Sequence, residues 1–188
     1  RKQNVRFIIE DRHAKKEDLV VVRLKDWKYE DPEGEVLKVI GKSTDSEAQT
    51  HAILEEFSLP YVFSDKVEQE TNSIKKELNT EKYREDQTSK LTFTIDPEDA
   101  KDFDDALSFK KLEDSSMEVG VHIADVSHYV KTKTELDKEA FYRATSVYLA
   151  DRVVPMLPEK LSNDLCSLNP REKKNVFSVF FIFSKNYK

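Results

Sequence analysis

The sequence of 188 residues is poor in cysteine and has no long hydrophobic run. Its single cysteine, Cys166, excludes an internal disulfide framework and a cysteine-ligated zinc site, and it is typical of a reducing compartment. The longest apolar stretch, Val176 to Phe183, is far shorter than the roughly 20 residues that a membrane helix needs. No charged and then apolar signal segment begins the chain. We therefore expect a cytoplasmic, monomeric globular protein with no membrane partner.

An initiating methionine is also missing. The apolar segment "VFSVFFIF" near the other end predicts a buried strand that needs neighbours. Both ends are therefore typical of a fragment of a longer protein.

The charge is unevenly distributed around a net value of −6. Residues 1–28 carry nine Lys and Arg against five Asp and Glu, and residues 171–188 carry five against one. Basic ends permit phosphate binding without requiring it. Charge alone favours ordinary solvated surfaces.

Short strand-like segments fill the N-terminal part of the chain: "VRFIIE", "DLVVVRLKDW" and "GEVLKVIG". Their spacing predicts part of a small barrel or sandwich over residues 1–44, such as an oligonucleotide-binding (OB) barrel. Phe7, Trp27 and Tyr29 would serve either as stacking surfaces for bases or as ordinary core residues.

Two helices, the second of them very polar, are predicted between residues 45 and 83, where they would form a linker. The first ends near residue 58, and Ser43 or Thr44 caps it, with Glu47 placed for a capping box on Thr44. The second begins near Ser64 and continues through the charged stretch "SDKVEQETNSIKKELNTEKYRED". This charged stretch is the best candidate for a domain boundary.

Residues 84–188 mix short strands with helices. Strands are predicted at "LTFTI", "DALSFKKL" and "MEVGVHIADV", and a helix at "TELDKEAFYRATSVYL". A Pro-punctuated loop with one helical turn precedes a last strand near residues 175–184. The predicted fold class is α+β: a partial OB-like β-barrel, a helical linker and the N-terminal part of a mixed α/β domain.

An acidic cluster, "TIDPEDAKDFDDALSF" at residues 94–109, lies between two apolar stretches. Its five aspartates and one glutamate have a single local base, Lys101. Carboxylates at this density must be solvated, paired with bases or bound to cations, because burying an unpaired charge is costly. A catalytic divalent metal is the favoured compensation. A structural cation and a solvated acidic loop are the alternatives.

Oxygen ligands without His or Cys favour Mg²⁺, Mn²⁺ or Ca²⁺ over zinc. An EF-hand is excluded because, counted from Asp96, the sixth position is Lys101 instead of Gly and the twelfth is Leu107 instead of Glu. Mg²⁺ fits better than Ca²⁺ because it keeps part of its water and takes few carboxylates. Asp102 and Asp104 would share one face of an extended segment, and the cluster could hold one or two ions about 4 Å apart for in-line displacement at phosphorus.

Four segments occur in order from about residue 84 to the end: "TFTIDPEDAKDFDDALS", "VGVHIADVSHYV", "RATSVYL" and "VVPMLPEKLSNDLCSLNP". They resemble the catalytic domain of the ribonuclease II and ribonuclease R family of 3′-to-5′ exoribonucleases, and ribonuclease R is the nearer of the two. The "PEGEVLKVIGK…HAILEEFSLPYVF" region is similar, less specifically, to the second cold-shock barrel and linker before that domain. The resemblance implies a Mg²⁺-dependent hydrolase, without a small-molecule cofactor, that releases nucleoside 5′-monophosphates from the 3′ end of single-stranded RNA.

The resemblance also implies the site residues. The family's four metal-binding aspartates fall on Asp96, Asp102, Asp104 and Asp105, with Asp104 the most critical for the chemistry, whereas Asp99 lies outside the set.

Tyr148 matches the family's tyrosine near the scissile phosphate, and a core tyrosine is the alternative. His122, Asp125 and His128 match the signature "HIADVSHY", and for each of them we expect hydrogen bonding in the core.

The family's catalytic domain continues with a second stacking aromatic, a basic residue that acts on the phosphate and a further RNA-binding barrel. We therefore expect little or no ribonuclease activity from these 188 residues alone. Two rival hypotheses remain open: a non-catalytic RNA-binding module with a structural cation, and a Ca²⁺-stabilised interaction domain.

Overall fold

The computed structural model describes residues 5–9, 13–28, 31–78 and 82–185. The chain divides into two compact units, Arg1–Tyr61 and Val62–Lys188. The elements are, in chain order, β1 (Ile8–Ile9), β2 (Asp18–Asp26), β3 (Glu33–Lys42), α1 (Ser46–Glu56), α2 (Asp65–Ser73), β4 (Thr92–Phe93), β5 (Asp105–Lys111), β6 (Met117–Ala124), a 3-10 turn (Val126–His128), α3 (Glu135–Arg143), β7 (Val147–Tyr148), β8 (Val153–Val154), a π-helical turn (Lys160–Leu165) and β9 (Val176–Phe183). None of the helices in these ranges is long and apolar enough to cross a membrane.

The first unit is built on a three-stranded sheet in the order β1, β3, β2. β2 and β3 pair in antiparallel fashion with three register shifts, and β1 joins the other edge of β3 in parallel. Gly34 lies where a Cβ atom would be 2.5 Å from Cγ1 of Val22, so β3 passes closer to β2 than a larger residue allows. Trp27 is 57% exposed, so it does not pack in a core within this unit. Phe7 is 37% exposed, and its side chain lies next to Gly34 in β3. Tyr29 lies outside the described residues.

Helix α1 packs against β2 and β3 in the same unit. Its N-cap is Asp45, whose carboxylate accepts a hydrogen bond from the backbone N–H of Glu47 at 3.0 Å. The predicted caps, Ser43 and Thr44, are therefore wrong, as is the capping box on Thr44. The helix begins one residue later because Asp45 keeps the extended backbone of an N-cap and offers a stronger acceptor.

The second unit contains a four-stranded antiparallel sheet in the order β4, β5, β6, β9. Beside it, α2, α3 and the π-helical turn share a core in which Val67, Leu136 and Leu161 are fully buried. Ala124, the last residue of β6, belongs to the same core. The mixture of short strands and helices predicted for this part of the chain is confirmed.

Helix α2 is shorter than predicted. It begins after Ser64, whose hydroxyl accepts from the N–H of Val67, but it ends at Ser73 because the backbone of Ile74 is extended. The ammonium of Lys160 donates to three carbonyl groups at this end of the helix, at 2.9–3.0 Å. Helices α1 and α2 thus lie in different units, and the predicted boundaries of a 45–83 linker stay predictions.

The predicted helix over residues 134–149 and the predicted burial of the last strand both need correction. Helix α3 ends at Arg143 because Ala144 adopts a left-handed conformation (φ 63°), and the segment "VY" forms β7 instead. Strand β9 pairs with β6 on one edge, and no strand of the described residues pairs with the other edge. Phe177 and Ile182, which point to opposite faces of the strand, are also exposed. An apolar sequence shows what a strand can bury and not what covers it.

Candidate active site

The acidic cluster forms the connection between β4 and β5. Asp96 follows β4, Asp102 and Asp104 lie in the loop, and Asp105 is the first residue of β5. The carbonyl of Asp104 accepts a hydrogen bond from the N–H of Ala124, at 2.9 Å, so the β5–β6 pairing continues one step into the loop. The sheet therefore fixes the C-terminal half of the cluster.

Asp104 is the electrostatic centre of the cluster. Partial burial raises the pKa of its carboxyl most, and the negative charges of Asp102, Asp105 and Asp96 raise it further. In the described part of the chain, no Lys or Arg forms an ion pair with any of these four aspartates. Asp104 thus experiences like charges without a protein counter-charge, a situation that a bound cation would relieve.

Tyr148, in β7, reaches the cluster through its hydroxyl, which donates a hydrogen bond to Oδ2 of Asp102 at 2.9 Å. This bond raises the pKa of Tyr148, and burial and the charges of Asp102 and Asp104 raise it further. The tyrosine residue is 66% exposed, so the alternative of a core tyrosine is wrong. The hydroxyl is held by the cluster while much of the ring faces solvent.

The charges of Asp96, Asp102 and Asp105 act on Asp104, but the four carboxylates do not form a coordination shell in this structure. Over the described ranges, no group of three or more His, Cys, Asp or Glu side chains is arranged to hold a metal ion. Metal ligation by Asp96, Asp102, Asp104 and Asp105 therefore stays a prediction, and it requires the carboxylates to move closer together.

Hydrogen bonds restrain the backbone of the loop more strongly around Asp102 and Asp104 than around Asp96. Around Asp96, the N–H of Ala100 bonds to the carbonyl of Pro97 at 3.1 Å, which closes a local turn. Around Asp102 and Asp104, the backbone bonds to residues distant in sequence, at the end of β6 and after the π-helical turn. The Asp96 end is the less restrained part, so it is the part we expect to adjust when a cation binds.

His122 lies in the middle of the sheet and not in the acidic cluster. Its Nδ1 is 2.7 Å from the hydroxyl oxygen of Ser178 on β9, and its Nε2 is 2.8 Å from that of Ser108 on β5. Burial lowers the pKa of His122, and the charge of Lys90 lowers it further. The neutral imidazole therefore bridges three strands, as expected for core hydrogen bonding.

Asp125 forms a buried ion pair with Arg84 and also accepts hydrogen bonds from the hydroxyl of Ser127 (2.7 Å) and the N–H of His128 (3.1 Å). Burial by itself would raise the pKa of Asp125, but the hydrogen bonds and the charge of Arg84 outweigh it and lower the pKa. Core hydrogen bonding is thus confirmed for Asp125. His128 is half-buried and bonds through Nε2 to the carbonyl of Glu77 at 3.2 Å.

Sequence reasoning does not identify two residues that support the site, Arg84 and Ser167. Arg84 stands in the charged stretch "KYREDQ", where nothing marks it as the partner of a buried carboxylate. Ser167, in "LCSLNP", bonds to the backbone of the acidic loop from 64 and 66 positions away. No local pattern signals either contact, because both depend on tertiary packing.

Two known domains match the sequence of the chain. The cold shock domain matches residues 2–64, and the RNB domain matches residues 84–188, more than half of the chain. The chain belongs to the RNB-domain family. The resemblance to ribonuclease R and the α+β class with an OB-like first part are thereby confirmed.

Relatives and solved structures agree with this assignment. Ribonuclease R 1 of Lactococcus lactis is 42% identical over 174 residues, which cover 88% of this chain and 21% of that protein. RNase R of Mycoplasma genitalium in complex with double-stranded RNA has a TM-score of 0.88 at 31% identity and covers 97% of this chain and 34% of that chain. Yeast Ssd1, a pseudonuclease, has a TM-score of 0.66 at 19% identity, which shows a shared fold alone. The chain thus spans about a fifth of the curated relative and about a third of the RNase R structure.

Proposed function

We propose that the protein to which this chain belongs is a 3′-to-5′ exoribonuclease that hydrolyses single-stranded RNA to nucleoside 5′-monophosphates. The observation that carries the proposal is the uncompensated set of carboxylates around Asp104, with the hydroxyl of Tyr148 bonded to Asp102, in a chain of the RNB-domain family. In each cycle, a water oxygen bonds to the last phosphorus of the RNA and the bond to the preceding 3′ oxygen breaks. That oxygen accepts a proton and becomes the new 3′ hydroxyl.

We propose Mg²⁺ as the cofactor, with Mn²⁺ as a substitute, and Asp96, Asp102, Asp104 and Asp105 as its ligands. The donor set fits these hard cations because it consists only of carboxylate oxygens. The raised pKa of Asp104 supports a cation there, since the like charges around it favour any positive neighbour. When bound, a divalent cation supplies an acidified water molecule and neutralises charge on the phosphate.

The protein's own groups then have separate tasks. The carboxylates of Asp102 and Asp104 are presented by a loop half whose backbone is fixed, which limits the reorganisation that the reaction requires. The hydroxyl of Tyr148 orients Asp102, and the exposed part of its ring is available to stack on the 3′-terminal base. In the first unit, taken by itself, the exposed side chains of Trp27 and Phe7 are candidates for stacking on RNA bases.

We propose further that the 188-residue chain alone has little or no activity and that the whole protein acts as a cytoplasmic monomer. The first part is supported by the share of the Lactococcus relative that the chain spans, 21%, and by carboxylates that do not converge. The cytoplasmic location is supported by the single cysteine, Cys166, which leaves no internal disulfide, as is usual for proteins of a reducing compartment.

The proposal is tested with the full-length protein and a single-stranded RNA labelled at its 3′-terminal nucleotide. We expect Mg²⁺-dependent release of the labelled nucleoside 5′-monophosphate, and a decrease of at least about a hundredfold in the Asp104→Asn variant. Release of nucleoside 3′-monophosphates, internal cleavage, or full activity in the presence of a chelator would contradict it.

A non-catalytic RNA-binding module is the second candidate function. It is favoured by the carboxylates that do not form a metal site among the described residues, and by the occurrence of this fold in the pseudonuclease Ssd1. RNA affinity that falls steeply with salt, together with intact RNA after prolonged incubation of the full-length protein with Mg²⁺, would favour this candidate.

A further inference from the structure

One buried hydroxyl group holds the acidic loop on both sides of Asp102. Ser167 is 1% exposed and lies just after the π-helical turn. Its Oγ donates a hydrogen bond to the carbonyl of Lys101 at 2.9 Å and accepts one from the N–H of Phe103 at 3.1 Å. These carbonyl and N–H groups belong to the two peptide units that flank the Cα atom of Asp102.

Backbone hydrogen bonds also hold the part of the loop that leads from Asp102 to Asp104. The N–H of Leu168 donates to the carbonyl of Phe103 at 2.9 Å, and the N–H of Ala124 donates to the carbonyl of Asp104 at 2.9 Å. The segment from Lys101 to Asp104 is therefore held between two supports, Ser167 with Leu168 and the end of β6. The only side-chain group in this set of bonds is the hydroxyl of Ser167, so it is the part that a substitution can remove.

We propose that Ser167 is a positioning residue that fixes Asp102, and through Phe103 also Asp104, in the orientation needed to bind the cation. This inference rests on the proposed function, because it requires a cation at these aspartates. Ser167 itself contacts neither RNA nor cation. It acts through the backbone of the loop, while Tyr148 holds the carboxylate of Asp102 from the other end.

Alanine at position 167 would leave the carbonyl of Lys101 and the N–H of Phe103 without their side-chain partner. Unpaired buried groups are costly, so the loop is expected to shift until water or another group satisfies them. A shift of about 1 Å at a reacting centre is enough to cost about a hundredfold in rate. Groups that do not touch the metal but orient its ligands typically contribute about 10- to 100-fold to metal affinity or activity.

The test compares Ser167→Ala with Ser108→Ala in the full-length protein. Ser108 is a matched control because it is also 1% exposed and its hydroxyl bonds to His122, away from the loop backbone. Mn²⁺ binding is measured by electron paramagnetic resonance, and RNA hydrolysis is measured at saturating Mg²⁺. We expect Ser167→Ala to raise the Mn²⁺ dissociation constant about tenfold or more and to lower kcat similarly, with KM for RNA within about twofold of wild type. Ser108→Ala should leave both the dissociation constant and kcat within about twofold.

If the role of Ser167 were purely structural, Ser167→Ala would lower the melting temperature but leave the Mn²⁺ affinity of the folded protein unchanged, and this result would overturn the proposal. If Ser167→Ala does not fold, amide hydrogen exchange in the wild type tests whether the bond from Phe103 to Ser167 restrains the loop. The amide of Phe103 should exchange at least about a hundredfold more slowly than that of Asp99, and equal rates would overturn the positioning role.

The two proposals fail in different ways. Wild-type protein that binds Mn²⁺ but leaves RNA intact contradicts the proposed function, whereas unchanged Mn²⁺ affinity in Ser167→Ala contradicts the positioning role alone. Wild-type protein that binds no Mn²⁺ contradicts both.

Discussion

Replacing Arg84 with methionine measures the contribution of the buried ion pair that lies next to the acidic site. The side chain of its partner, Asp125, is 1% exposed, and that of Arg84 is 19% exposed. Asp125 directly follows Ala124, whose N–H holds the carbonyl of Asp104. Methionine keeps much of the apolar stem of Arg84 but removes the charge, so Asp125 becomes a buried carboxylate without a cation.

Removing one partner of a buried ion pair costs about 3–5 kcal/mol. Ser127 and the N–H of His128 still donate to Asp125, so we expect the lower end of this range. A loss of about 3 kcal/mol corresponds to a decrease of roughly 10 °C in melting temperature for a unit of this size.

The pH dependence has a definite sign. The pKa of Asp125 is lowered in the folded state, so its stabilisation is present above the ordinary pKa of an unfolded aspartate and is lost as the pH falls through the folded-state pKa. Loss of Arg84 raises that folded-state pKa. The difference in stability between wild type and Arg84→Met should therefore be largest near neutral pH and should shrink in acid.

The assay is urea unfolding followed by circular dichroism at neutral pH and again in acid. Lys173→Met is the control, because it breaks an exposed ion pair with Asp86, 3.7 Å apart, whose side chains are 63% and 67% exposed. Such pairs contribute about 0–1 kcal/mol. If Arg84→Met lost no more stability than the control, or lost more in acid than at neutral pH, the reasoning would be refuted.

Three further substitutions test other contacts. Tyr148→Phe removes the hydrogen bond to Asp102 but keeps the exposed ring, so RNA hydrolysis should fall about tenfold at an unchanged melting temperature, and an unchanged rate would show that the hydroxyl is not used. Gly120→Ala places a Cβ atom 2.4 Å from Oγ of Ser108 and should lower the free energy of unfolding in urea by about 1–3 kcal/mol, whereas wild-type stability would contradict the close packing. Lys160→Met leaves three carbonyl groups at the end of α2 without their donor and should cost about 1–3 kcal/mol in the same assay; a neutral effect would show that water replaces the ammonium.

Local patterns in the sequence predict those helices and strands that depend mainly on interactions between residues close in sequence. Strands β5 and β6 follow from alternating apolar residues, and the start of α2 follows from Ser64, whose hydroxyl accepts from a backbone N–H three residues on. The ends of helices are less predictable. Helix α2 ends where the backbone of Ile74 becomes extended, and the ammonium of Lys160, which is distant in sequence, donates hydrogen bonds to the carbonyl groups at that end. The exposure of β9 could not be predicted, because composition does not report which surface is covered.

The candidate site shows the same division. The spacing of the aspartates and the lack of bases predict that like charges accumulate around Asp104, and the structure places Asp96, Asp102 and Asp105 close enough to raise its pKa. The hydrogen bond between Tyr148 and Asp102 joins residues 46 positions apart. Ser167 acts on the loop through backbone groups, which leave no trace in the composition of the loop.

The central claim is that the carboxylates around Asp104 hold the cation that RNA hydrolysis requires. The most direct measurement is Mn²⁺ binding by electron paramagnetic resonance, in parallel with Mg²⁺-dependent nucleotide release, for the full-length wild type, Asp104→Asn and Asp99→Asn. Asp99 is the control because it lies in the same loop but outside the predicted ligand set. We predict that Asp104→Asn loses both tight Mn²⁺ binding and nucleotide release while Asp99→Asn keeps both. Equal behaviour of the two variants would contradict the claim.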